Sequence, residues 1–308
     1  MTGGRVTTQP DTDAPKGRQL LYGGQILQAV EIALKEDIGL GDITGDATID
    51  RDARAGGELL AKARGVVGGI EIAGLVFHSV DEQIVFHPTI ADGTRVSAGT
   101  VLAVVEGSAR SMLRAERVAL NFLQRMSGIA TLTRAYVDAV RGTDAKITDT
   151  RKTAPGLRAI DKLAVRLGGG VNHRFGLDDM ILIKDNHIVA AGGISAAVRR
   201  CQEYLRGRSL RVGIEVETTS VDDVREALSL PGLQRIMLDN FPIPMMREAV
   251  ALINHAVEVE ASGGITLDTV AAVAATGVDF ISVGALTHSV HALDISLEFT
   301  AGTHDQHA

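Results

Sequence analysis

Residues 211–239 read RVGIEVETTSVDDVREALSLPGLQRIMLD, and the fold is decided there. Two short apolar runs, Arg211–Glu217 and Arg235–Asp239, flank a stretch, Val221–Leu228, whose apolar residues recur at helical spacing. A strand, a helix and a strand joined by short turns make a parallel βαβ unit. Both runs end on a carboxylate, Glu217 and Asp239. In an α/β barrel the C-terminal strand ends and the loops after them form the site.

The same rhythm extends in both directions. Further candidate strands are Ala145–Asp149, Met180–Lys184, Ala256–Glu260 and Asp279–Val283; between them lie helical stretches at Ile194–Leu205, Pro244–Ile253 and Leu267–Ala275. That makes about six strands against the eight of a complete barrel; an open sheet is the alternative, and residues 131–289 are expected to form an incomplete (β/α) barrel. Upstream, Ser111–Arg141 reads as one helix with Val118, Phe122, Met126 and Ile129 as its apolar stripe. Before it come a helix over Gln25–Glu36 and the strand-like runs GGELLAKA, GVVGGI, QIVFHPT and TVLAVVEG. Residues 19–130 are therefore expected to form an N-terminal α/β sandwich domain, with 290–308 packing back onto it. Gly, Thr, Pro and charge dominate residues 1–18, which are expected to be a disordered tail. A lipoyl- or biotinyl-type carrier module is excluded, because no lysine stands between Ala63 and Lys146.

Composition narrows the function. The 308 residues are 45% hydrophobic and 22% charged, with net charge -7, which argues against nucleic-acid or membrane-surface binding. A single cysteine, Cys201, excludes an intrachain disulfide and a cysteine-rich metal site. No apolar stretch has the length of a membrane span and no signal-peptide core opens the chain, so a cytoplasmic location is expected. HExxH, P-loop, nucleophile-elbow and GxGxxG patterns are all missing, which speaks against zinc, nicotinamide and flavin chemistry.

Against that acidic background, residues 151–184 gather Arg151, Lys152, Arg158, Lys162, Arg166, Arg174 and Lys184 against only Asp161, Asp178 and Asp179. Clustered cations repel unless anions share their space, so the simplest ligand is a small molecule carrying several carboxylates or phosphates. Four of the expected strands end in charged groups: Asp149 with Arg151 and Lys152, then Lys184, Glu217 and Asp239. Ser262, Gly263 and Gly264 follow one strand and Gly284 the next, where backbone N–H groups and helix N-termini suit a phosphate. Glu217 and Asp239 fit general acid–base work, magnesium chelation, bonds from sugar hydroxyls, or a counter-ion role. Glu215 shares Glu217's side by period two and either supports it or is itself the actor. His173, between Asn172 and Arg174, stands apart from the other histidines.

TRKTAPGLR, GGGVNHRFGL and ILIKDNHI, then EVE, MLDN, ASGGI and SVGAL, resemble the motif series of the quinolinate phosphoribosyltransferases, also called nicotinate-nucleotide pyrophosphorylases (carboxylating). EDIGLGDIT and ERVALNFLQRMSGIAT extend the resemblance upstream, so it runs from about Leu20 to His291. It implies a pentosyltransferase of de novo NAD biosynthesis. Such an enzyme moves the phosphoribosyl group of phosphoribosyl pyrophosphate to quinolinate with decarboxylation, giving nicotinate mononucleotide, pyrophosphate and carbon dioxide, with Mg2+ accompanying the pyrophosphate. By the same resemblance Arg151, His173, Arg174 and Lys184 line the quinolinate pocket, and Lys152 reaches toward pyrophosphate. Glu217 and Asp239 hold the ribose hydroxyls and the magnesium shell; Ser262, Gly263, Gly264 and Gly284 cradle the 5′-phosphate. The resemblance further implies a head-to-tail homodimer, with Arg117 donated across the interface. Ala154 departs from the Thr or Leu common in relatives. A related group tied to molybdenum transport lacks KDNH, and a nicotinate-specific enzyme needs fewer cations; both are the weaker readings. A non-catalytic phosphometabolite-binding barrel predicts loss of a strand-tip residue, yet Lys152, Lys184, Glu217 and Asp239 are all present.

Overall fold

The computed structural model describes residues 16–300, with side chains from residue 23. The expected tail lies outside the described residues except for 16–18, which are helical. In chain order the elements are α1 (Lys16–Ile38), α2 (Ile43–Thr48), β1 (Arg54–Ala61), β2 (Gly65–Val66), α3 (Ile70–Val80), β3 (Val85–Pro88), β4 (Arg95–Val96), β5 (Val101–Ser108) and α4 (Ala109–Ala139). They continue with β6 (Lys146–Thr148), α5 (Arg158–Leu167), β7 (Ile181–Ile183), α6 (Asp185–Ala191), α7 (Ile194–Arg208), β8 (Ile214–Thr218) and α8 (Val221–Leu228). The last are β9 (Arg235–Asp239), α9 (Ile243–Ile253), β10 (Glu258–Ser262), α10 (Leu267–Ala274), β11 (Phe280–Ser282), α11 (Ala285–His288) and β12 (Ile295–Thr300). No helix is long and apolar enough to cross a membrane among the described residues.

Two compact units result. The first comprises residues 16–132, 154–168 and 290–300. Its sheet runs β12-β1-β5-β3, antiparallel throughout. Along β1, Gly57, Leu59 and Ala61 are buried while their neighbours are not, the alternation of a half-buried antiparallel strand. Helix α4 supplies the core of this unit with Met112, Ala115, Val118, Ala119, Phe122, Leu123, Met126 and Ile129, all buried. Gly128 lets the returning chain touch that helix, since a Cβ there would stand 2.2 Å from the backbone oxygen of His291. Beyond the contact, Leu293 N–H donates to the Gln124 carbonyl at 3.0 Å and Gln124 Nε2 to that of Ile295 at 2.7 Å. Residues 154–168, expected in the barrel, cluster with this unit instead. The reason is an ion pair: Arg125 donates two 2.8 Å bonds to the fully buried Asp161, which also accepts the Ala154 N–H at 3.1 Å.

The second unit, residues 133–153 and 169–289, holds a six-stranded parallel sheet in the order β6-β11-β10-β9-β8-β7. Neighbours in space are neighbours in sequence, and the first strand pairs with the last. This is the order of a barrel interrupted between β6 and β7. An isolated parallel bridge from Thr148 to Val171 extends the β6 side. Strand starts differ from expectation most at β8, which begins three residues late, and at β10, which begins two residues late. The turn after α9 uses left-handed backbone at both Asn254 and His255 (φ 44 and 60), and Ala256, expected to open the strand, still donates its N–H to the Ile253 carbonyl at 2.9 Å. Ser220 and Asp223 close a capping box that starts α8 immediately after β8, fixing the short turn expected there.

Candidate active site

Parallel pairing brings the strand tips of the second unit to one end of the sheet. Ser262 lies opposite Asp239, and Glu217 sits two residues below their level, opposite Met237. Burial and then the Asp239 charge push the Glu217 carboxyl up, while Lys184, on the far side, pulls it down. Lys184, Glu217 and Asp239 therefore share one electrostatic environment. Asn240, in left-handed backbone (φ 56), donates Nδ2 to Asp239 at 2.9 Å. A Cβ on Gly263 (φ 95) would meet the Asn240 Oδ1 at 2.2 Å. Only glycine suits that position on both conformational and steric grounds. Gly264 (φ 60) follows in the open, and Thr266 caps α10 behind it. Lys152 is drawn to the glycine of the next loop: the Lys152 carbonyl accepts the Thr287 hydroxyl at 2.8 Å, and its Cδ lies 3.1 Å from where a Gly284 Cβ would be. His288 closes the other side of Gly284.

The β6 tip and residues 172–174 form a second group. Asp149, fully buried, accepts the His173 N–H at 2.9 Å and the Asn172 side-chain amide. Arg174 donates one guanidinium nitrogen to the Met180 carbonyl at 3.1 Å, while its buried Nε has no acceptor among the described residues. Burial and then the like charge of Arg151 hold Arg174 below the usual guanidinium range. Two close guanidiniums in a partly desolvated cleft make a strong site for a carboxylate.

Beneath these groups the interior is ionic. His173, its side chain 6% exposed, places Nε2 3.0 Å from Glu215 Oε2 and 3.4 Å from Glu260 Oε2. Arg235 donates to Glu260 at 2.7 Å and to Glu258 at 3.0 Å, and stacks over Phe280 at 3.8 Å. Burial alone would push the His173 ring down, but the Glu215 and Glu260 carboxylates outweigh it and push it up to about 9. The backbone opposes that charge: His173 Nδ1 accepts the Arg174 N–H at 2.8 Å. An imidazolium has no lone pair there, so the bond selects a neutral ring with its proton on Nε2, toward the carboxylates. Burial, and then the Glu260 charge, raise Glu215.

Of the expected site residues, Lys152, Lys184, Glu217, Asp239, Ser262, Gly263, Gly264 and Gly284 stand at the strand tips. Arg151 and Arg174 are close enough for their like charges to repel, and His173 is buried beside Glu215. Arg117 belongs to the first unit, exposed on α4. Reading from sequence passed over Glu260, Arg235 and His288. The first two carry a usable signal: each lies at an even step back from a tip residue, Ser262 and Asp239, so each shares its face.

Comparison with known proteins agrees with this geometry. The family models described as Quinolinate phosphoribosyl transferase, N-terminal and C-terminal domains, match residues 42–127 and 129–298. Quinolinate phosphoribosyltransferase [decarboxylating] 1b of Nicotiana tabacum is 50% identical over 284 residues, covering 87% of this chain and 81% of its own. Nicotinate-nucleotide pyrophosphorylase [carboxylating] of Mycobacterium leprae is 45% identical over 273 residues, covering 86% and 94%. Among solved structures, NadC from Streptococcus pyogenes superposes with a TM-score of 0.85 at 39% identity, covering 90% of this chain and 97% of that one. With both family domains matched in order, the second of them over an interrupted barrel that carries charged strand tips, the chain belongs to the quinolinate phosphoribosyltransferase family.

Proposed function

We propose that this chain transfers the phosphoribosyl group of phosphoribosyl pyrophosphate to quinolinate and decarboxylates the adduct, yielding nicotinate mononucleotide, pyrophosphate and carbon dioxide in de novo NAD biosynthesis. The observation that carries this reading is the opposed placement of charges at the strand ends. Arg151 and Arg174 lie on the β6 side, Glu217 and Asp239 on β8 and β9, and a glycine cradle on β10 and β11. A pyridine dicarboxylate needs the first group, a ribose with developing positive charge the second, and a 5′-phosphate the third.

The pyridine nitrogen attacks the anomeric carbon as the bond to pyrophosphate breaks, through a transition state with oxocarbenium character. Glu217 and Asp239 stabilise the positive ribose and accept its hydroxyl protons in hydrogen bonds; Lys152 stabilises the departing oxyanion. Holding two highly charged reactants in line supplies much of the remainder. The positive pyridinium nitrogen then stabilises the electron pair left on C2 when the C–carboxylate bond breaks, and that pair takes up a proton. Lys184, Arg151 and Arg174 hold the carboxylates in place throughout. Two half-buried carboxylates, with the Asp239 charge helping to push Glu217 up, fit Mg2+, which favours oxygen ligands shared with substrate phosphates. Glu217 and Asp239 would hold it, and it would neutralise charge on the pyrophosphate.

The working unit is a homodimer in which Arg117 enters the partner's site; its exposure on α4 supports this, and the same unit exposes Leu40 and Ile43. Mixing Arg117→Ala with Lys184→Ala subunits should restore activity above either parent, and no recovery would refute the shared site. A cytoplasmic location is what the composition supports. Certain plant relatives are named as mitochondrial or chloroplastic, and fractionation decides the matter for this chain. The primary test is product formation with phosphoribosyl pyrophosphate, Mg2+ and either acid. Nicotinate mononucleotide and carbon dioxide from quinolinate alone are expected; turnover of nicotinate, or of neither acid, refutes the reading.

A further inference from the structure

His173 has no nitrogen left to offer an anion. Its Nδ1 accepts the Arg174 N–H, its Nε2 faces Glu215 and Glu260, and its own backbone N–H is held by Asp149. Glu215 and Glu260 are fully buried, and neither oxygen of Glu215 receives an aligned hydrogen bond among the described residues. Such groups are costly to bury and call for a reason. The three side chains have a metal-like arrangement, with donor atoms within 4.8 Å of one another. A metal is nevertheless the wrong occupant. The Arg174 N–H places the ring proton on Nε2, the nitrogen a metal would need, and the nearer Glu260 oxygen already carries Arg235 at 2.7 Å.

We infer that Glu215 and Glu260, braced by Arg235, are positioning residues that act through His173 to set Arg174 in the anion pocket. The chain of contact is continuous. Arg235 fixes Glu260, the two carboxylates flank the imidazole Nε2 at 3.0 and 3.4 Å without an aligned hydrogen bond, and the imidazole accepts the peptide N–H of Arg174. The neighbouring Arg174 guanidinium keeps a buried Nε without an acceptor among the described residues. His173 thus shapes the acid pocket from below instead of contributing a charge to it. This rests on the reading of Arg174 as a quinolinate ligand.

The test is a double-mutant cycle on purified enzyme, reading KM for quinolinate and for phosphoribosyl pyrophosphate separately. His173→Ala, Glu260→Gln and Glu215→Gln should each raise the quinolinate KM about tenfold or more, the scale of coupling between contacting residues, with the other KM unchanged. The His173→Ala/Glu260→Gln double variant should lose no more than His173→Ala alone. His173→Gln, which keeps one donor and one acceptor but no charge, should recover most of the loss. Multiplicative losses in the double variant, equal losses in both KM values, or failure of His173→Gln to rescue would overturn the inference. If Glu260→Gln does not fold, the Glu215→Gln arm carries the same test. Arg174→Ala separates the two levels. If it leaves quinolinate use intact, the pocket assignment itself fails; if it abolishes use while both glutamate variants are silent, only this inference fails.

Discussion

Substituting Gly128 by alanine sets two effects of opposite sign against each other. In a helix interior alanine is favoured over glycine by about 1 kcal/mol. The new Cβ, however, would lie 2.2 Å from the His291 oxygen, 3.0 Å from its carbonyl carbon and 3.1 Å from Ala292 Cα, all backbone atoms. Restoring van der Waals distance requires that segment to retreat by roughly 1 Å, since carbon contacts settle near 3.5 Å. The retreat strains the Leu293–Gln124 and Gln124–Ile295 bonds, each contributing about 1 kcal/mol. It also lifts the buried Leu293 and Ile295, an overpacking cost of about 1–3 kcal/mol. Less the helix gain, the net loss is about 2–4 kcal/mol. That corresponds to a fall in melting temperature of roughly 5–15 °C for a chain of this size. Thermal and urea unfolding of Gly128→Ala against the parent measure it. A variant as stable as the parent would mean that residues 290–295 yield freely, and the account of how they are held would be wrong.

Three further outcomes are expected. Asp161→Asn should lower the urea midpoint by the equivalent of about 2–3 kcal/mol, below the full cost of breaking a buried pair because Arg125 is 25% exposed; an unchanged midpoint refutes the tie. Gly263→Ala, strained at φ 95 and crowding Asn240, should raise the phosphoribosyl pyrophosphate KM about tenfold or more while sparing quinolinate, and equal effects would remove it from the phosphate cradle. The third concerns pH. A histidine held protonated to about 9 would contribute stability that is full below 6.5 and lost as pH rises through 9. A neutral Nε2–H ring contributes no such slope, so the stability difference between the parent and His173→Gln should stay constant from pH 6.5 to 9. A difference that shrinks with rising pH would put the charge back on the ring.

What could be read from sequence was set by the range of the interaction concerned. The βαβ alternation and the tips at Lys184, Glu217 and Asp239 follow from local periodicity, and the structure returns them within a few residues. The β10 start was misjudged because two consecutive left-handed residues, Asn254 and His255, are not coded by glycine. The allegiance of α5 depends on Arg125 meeting Asp161 across 36 positions, a pairing no local pattern contains. The ionic interior was half visible. Period two exposes Glu215 beside Glu217 and would expose Glu260 beside Ser262, but which carboxylate faces which cation depends on strand register.

The interruption between β6 and β7 has an evolutionary consequence. Strands β8 to β11, which carry the ribose and phosphate groups, sit in one continuous ladder and can shift only by sacrificing inter-strand hydrogen bonds. Arg151, on the β6 side, and Lys184, at the tip of β7, stand on opposite banks of a seam that no ladder crosses. Width at that seam can drift with loop sequence at little energetic penalty. One half of the site is thereby held fixed by its architecture, and the other is left free to be retailored to differently shaped acids without rebuilding the sugar-phosphate machinery.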